Sequence, residues 1–91
     1  MSKNIKKFKP KDILEILWAD SHHHSGWLTP EDAQDFVDSK NQFIIHTIGY
    51  FFSEDKIFIY LIQSQDTQEP SLIDAIVGIP KASILRINKL K

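Results

Sequence analysis

Apolar residues along this chain recur mostly at alternate positions, in short runs divided by polar loops, a period that suits strands better than helices. From Lys11 to Asp20 two periods compete. Leu14, Ile16 and Trp18 alternate as a strand face would, while Ile13, Leu14, Leu17 and Trp18 also fit a helical stripe. The β-favouring run Ile16-Leu17-Trp18, with the polar loop Asp20 to Gly26 directly after it, favours the strand. The clearest local signal follows. Thr29 can cap a helix, Pro30 suits its first position, and Asp32 stands where a capping-box acid would. Ala33, Phe36 and Val37 supply the apolar face, and Asp38-Ser39-Lys40-Asn41 ends the helix. Phe43 to Phe52 and Lys56 to Gln63 read as a hairpin turning at Ser53-Glu54-Asp55. After the polar loop Ser64 to Ser71, a strand is predicted over Leu72 to Ile79, broken by Pro80, which cannot donate to a ladder. Lys81-Ala82-Ser83 makes a tight turn into a last strand, Ile84 to Leu90.

Five short strands with a helix after the first, and a one-turn break before the last, predict a mainly β fold. The expected form is a small five-stranded SH3-like or Sm-like barrel with one short inserted helix. An OB-like barrel, or another α+β arrangement, is the alternative, although the OB helix normally falls later in the chain. Ninety-one residues suffice for one domain and not for two. Residues 1–10 are expected to be a basic, flexible lead-in, and 11–91 the single barrel domain.

Composition narrows the class. An apolar fraction of 42% and a charged fraction of 25% are those of an ordinary globular chain, and the aromatic content is too high for a disordered one. The chain has no cysteine, which removes thiol catalysis and thiolate metal sites and favours a reducing compartment. The basic start lacks the apolar stretch of a secretory signal, and the longest apolar run, Ile57 to Ile62, is too short for a membrane helix. The expected setting is the cytoplasm. The net charge of −1 conceals an asymmetry: residues 1–11 carry +5, residues 12–74 carry −10 and residues 75–91 carry +4.

The chain resembles a group of small SH3-like proteins carried by tailed phages and prophages. The matching features are Trp18-Ala19-Asp20, Gly26-Trp27 entering the Thr29-Pro30-Glu31 helix, Thr47-Ile48-Gly49-Tyr50-Phe51, and Gly78-Ile79-Pro80-Lys81-Ala82-Ser83-Ile84. The resemblance spans Ile16 to Leu90. It implies an accessory role in a phage or mobile element, inside the host cell, and brings no catalytic residues with it. His22-His23-His24 is not part of it.

That histidine run is the first candidate for chemistry. In an extended loop His22 and His24 point the same way and Asp20 lies on their side, so two imidazoles and a carboxylate could hold Zn²⁺ or Ni²⁺, with His46 as a further ligand. Polar loops with several histidines commonly bind metal only adventitiously, so no structural metal and no cofactor is expected. Ser21 and Ser25 flank the histidines without a nucleophile-elbow pattern, and Gly26, Gly49 and Gly78 are too isolated to form a phosphate loop. The chain is therefore read as non-enzymatic. Trp18 and Trp27 are expected to be buried, Trp27 as a plug over the helix start, with stacking on an exposed indole as the competing reading. Glu31, Asp32, Asp35 and Asp38 form a solvated helix face.

Partner chemistry rests on two features. The Phe43–Phe52 and Ile57–Ile62 segments are apolar on both sides, more than one barrel interior can hide, which predicts self-association. The basic ends are expected to converge, since the first and last strands of such a barrel are neighbours. Lys6, Lys7, Lys9 and Lys11 would then gather near Arg86 and Lys89, away from the acidic helix. Arg86, Lys81, Lys89, Trp27 and Tyr50 are the candidate binding residues. The expected function is a homo-oligomeric binding module acting on a host protein. Capture of a small anionic, nucleotide-like ligand is the alternative. Nucleic-acid binding ranks third, because the acidic middle interrupts any continuous basic track.

Overall fold

The computed structural model describes residues 7–90. Lys6 and the rest of residues 1–6 of the predicted lead-in lie outside the described residues, as does Lys91. Five strands form one antiparallel sheet: β1 (Ile13–Ala19), β2 (Ile44–Glu54), β3 (Phe58–Gln65), β4 (Ile73–Pro80) and β5 (Ile84–Leu90), in the order β4-β3-β2-β1-β5. One helix, α1 (Pro30–Asp38), lies between β1 and β2, with a single 3₁₀ turn after it at Lys40–Phe43. The mainly β architecture and strand count are those predicted. The sheet is open, with β4 and β5 as its two edges.

β1 settles the competition between periods. It is the only strand between β2 and β5, so both of its ladders are filled, and Leu14 and Ile16 point to one face with no exposed surface at all. A seven-residue segment paired on both sides bonds its backbone groups to two neighbours, whereas a helix that short would leave four N–H groups and four C=O groups at its ends unpaired. Leu14 and Ile16 join Phe51, Ile59, Leu61, Ile79 and Ile84 in one core, with Phe8, Trp18, Val77 and Ile87 packed against it. β4 and β5 thus bend toward a common interior, through Ile79 and Ile84, without pairing. Each fully buried Leu or Ile contributes about 1.5–3 kcal/mol.

Local chemistry sets the boundaries. Thr29 holds extended geometry and its Oγ1 accepts from Asp32 N at 3.1 Å, with Pro30 opening the helix behind it. Ser39 ends the helix, its hydroxyl donating to Phe36 O at 2.7 Å. The β2–β3 turn falls two residues later than predicted, because Asp55 organises it. Its Oδ1 accepts from Ile57 N at 2.8 Å and Phe58 N at 2.7 Å, which leaves Glu54 in the strand. Pro80 ends β4 from within, since the missing donor is tolerated on an edge strand. Gly78 is required by packing: a Cβ there would lie 2.7 Å from the Tyr60 ring.

Two bulges explain part of the surplus apolar surface. The β2–β3 register shifts between Phe51 and Ser53, and the β1–β5 register skips Leu85. Phe52 and Leu85, the supernumerary residues, are both exposed. The predicted two-sidedness of β2 therefore has two origins, the strand's own alternation and a bulge.

Candidate functional site

The sheet has an inner face that carries the core and an outer face that is only partly buried among the described residues. Period-2 alternation puts Glu15 and Leu17 of β1, His46, Ile48 and Tyr50 of β2, and Arg86 and Asn88 of β5 on that outer face. Ile62 and Ile76 extend it onto β3 and β4, where they are directly paired with each other. Ile48 and Ile76 are 48% and 55% exposed, while Ile62 between their strands is only 3% exposed. They flank a groove of about 130 Å³, beside the point where Gly49 of β2 lies close to Leu61 and Ile62 of β3. The sequence-predicted apolar excess is thus a small contiguous patch, Ile48, Tyr50 and Ile76 around a buried floor.

A polar row crosses the same face. His46 Nε2 and Glu15 Oε2 are 2.8 Å apart, and Asn88 Nδ2 donates to Glu15 Oε1 at 3.4 Å. These bonds hold the Glu15 carboxyl below the usual carboxylate range, the His46 bond first and the Asn88 bond second. Sequence reasoning assigned His46 only as a spare metal ligand and overlooked Glu15. The available signal was that Glu15 is the one acid and His46 the one histidine within their apolar segments, so alternation had to turn both outward together.

The predicted convergence of basic residues holds for Lys89 and fails for Arg86. Lys89 Nζ stands 3.6 Å from Asp12 Oδ1, beside the turn in which Lys9 N donates to Asp12 Oδ2 at 2.9 Å. Arg86 lies further along β5, opposite Leu17, toward the end of β1 that leads to α1. An antiparallel pair fixes this: as β5 runs back along β1, only its last residues reach the lead-in. Lys81 Nζ is 2.6 Å from Glu54 Oε1, an ion pair largely withdrawn from solvent, so its charge is spent within the fold.

Trp27 overturns its expected burial. It is fully exposed, in a loop whose residues 21–29 are all exposed, and it plugs nothing. The helix start is completed by Thr29 and Pro30, and on the apolar side of α1 Ala33 and Phe36 are partly covered while Val37 is 53% exposed. His22 stacks on Phe43 with centroids 4.1 Å apart and lies 5.1 Å from Phe36. Trp18 is half-buried, its Nε1 donating to Thr47 Oγ1 at 3.0 Å. His22 is occupied in stacking, and Asp20 Oδ1 accepts from Ser21 N. Asp20, His22 and His24 are not assembled into a site: among the described residues no three His, Cys, Asp or Glu side chains cluster so as to hold a metal ion.

A second concavity lies at the far end of the β3–β4 hairpin. It measures about 570 Å³ and is bounded by Lys11, Tyr50 and the loop that joins β3 to β4. Tyr50, a predicted binding residue, therefore borders both this cleft and the apolar patch. No helix among the described residues is long and apolar enough to cross a membrane. No family model, curated protein or solved structure matches this chain.

Proposed function

We propose that this protein is a non-enzymatic binding module that works as a homo-oligomer, paired through the outer face of its sheet. The observation that carries this reading is the patch of Ile48, Tyr50 and Ile76 left open around Ile62. A single-layer sheet has two faces and the described residues pack their core on one, since α1 rests chiefly on the 3₁₀ turn beside it. A second copy is the occupant that charge favours. Glu15 and Arg86 share the outer face in opposite signs, so a two-fold axis can set each against the other in its partner. Trp27, exposed beside Leu28 and the acids of α1, is the anchor for a target protein with a basic rim. The resemblance to small phage proteins supports an accessory role on a host target, in the host cytoplasm.

Sedimentation equilibrium at micromolar concentration tests the assembly. A mass of two or more chains is expected, falling to one chain in Ile76→Asp, whose side chain is exposed and can change without disturbing the core. A wild-type mass of 10.6 kDa under these conditions refutes the pairing.

A further inference from the structure

The cleft between Lys11, Tyr50 and the β3–β4 loop shares only Tyr50 with the patch of the proposed assembly, and its construction points to a ligand. Its volume, about 570 Å³, falls within the range of roughly 300–1,000 Å³ common for small-molecule sites. Two clamps shape its walls. On one side, Asp12 O accepts from Phe51 N at 2.8 Å while Lys9 N donates to the Asp12 carboxylate, and Lys11 between them takes a left-handed backbone with φ 77°. A lysine held there is strained, and the turn that imposes the strain sets Lys11 beside Tyr50. On the other side, Asp66 Oδ1 accepts from Gln68 N at 3.2 Å and Leu72 N at 3.0 Å, and Gln65 Nε2 donates to Ser71 Oγ at 2.9 Å. The loop is thereby ordered before any ligand arrives, which lowers the entropic cost of binding.

The lining chooses the chemistry. Gln65, Thr67, Gln68 and Ser71 bring amides and hydroxyls that both donate and accept, the capacity a ligand hydroxyl needs. Tyr50, two-fifths exposed, adds a flat ring at one wall. The formal charges are one ammonium, from Lys11, against two carboxylates, from Asp66 and Glu69, an excess of negative charge that disfavours phosphates and other anions. Aliphatic side chains, which an apolar ligand would require, are absent from the lining. We infer that the cleft binds a neutral polyhydroxylated ligand, a saccharide unit whose C–H face lies on Tyr50 and whose hydroxyls pair with the loop side chains and Lys11.

The test is a glycan array of neutral and anionic saccharides, probed with the fluorescently labelled full chain. Retention on neutral glycans is expected, lost in Tyr50→Ala and weakened about tenfold in Gln68→Ala, with both variants keeping the wild-type circular dichroism spectrum. Gln68→Glu, which keeps the size and adds another negative charge, should still retain neutral glycans. Retention of no neutral glycan, retention of anionic glycans alone, or signal unchanged in Tyr50→Ala overturns the assignment. Sedimentation of the same variants separates this outcome from assembly: Gln68→Ala should alter retention and leave the mass unchanged.

Discussion

His46 and Glu15 stand 31 positions apart in the chain, yet their Nε2 and Oε2 atoms meet at 2.8 Å on the outer face of the sheet. The β1–β2 register puts Glu15 opposite Ile48 and His46 opposite Leu17, so the contact is a diagonal between neighbouring strands. Asn88, directly across from Glu15 on β5, approaches the other carboxylate oxygen. A three-strand polar row therefore borders the apolar patch, and it ties β2 to β5 through β1.

The first prediction follows from that pair. The Glu15 carboxyl titrates below its unfolded value because His46, then Asn88, bonds to its ionised form. A depressed carboxylate pKa contributes stability that is fully present above the unfolded value, about 4.3, and is lost as pH falls through the folded one. Carbon-detected NMR titration should place the Glu15 midpoint below the ordinary glutamate value, and His46→Ala should raise it. An unchanged midpoint in His46→Ala would show that the contact does not hold in solution.

Asp55 offers a second acid-sensitive contact of different origin. Its carboxyl is also held low, by the backbone N–H of Phe58 and then that of Ile57. Asp55→Asn should lower the melting temperature at neutral pH, with a smaller deficit at a pH below the ordinary aspartate value of about 3.9, where the wild-type stabilisation declines as pH falls toward the depressed folded value. Equal deficits at both pH values would mean that the turn depends on shape and not on charge.

Removing side-chain volume from the central strand probes the core. Leu14 is fully buried between β2 and β5, so Leu14→Ala should cost about 2–5 kcal/mol in urea unfolding. A loss below about 1 kcal/mol would show that the open sheet closes over the cavity at little cost.

Trp27 and Trp18 should be separable by fluorescence. Trp27 is fully exposed, whereas Trp18 is half-buried and bonded to Thr47. Trp27→Phe should shift the mean emission to shorter wavelength, remove most iodide quenching, and change stability by less than about 0.5 kcal/mol. A clear loss of stability would place Trp27 against an apolar surface, as the sequence alone suggested, or within the assembly interface.

What the sequence by itself determined was whatever depends on neighbours a few residues apart. The alternation from Leu14 to Trp18, the Thr29-Pro30 helix start and the breaks at Asp55 and Pro80 are local steric and hydrogen-bonding facts, and each reappears within a residue or two. The apolar surplus of the Phe43–Phe52 segment was legible for the same reason. Tertiary structure decided everything that depends on register. Arg86 was assigned to the basic end, but antiparallel pairing carries it to the other end of β1. The bulges at Phe52 and Leu85 insert one residue against a partner strand, a mismatch that neither strand reveals alone. The sequence predicts Trp27 as a plug over the helix start, yet the rings beside Phe36 of α1 are His22 and Phe43, brought face to face only when the loop returns beside β2. The cleft beside Tyr50 likewise needs Lys11 and a loop more than fifty residues away in sequence to meet, and nothing local to either encodes that meeting.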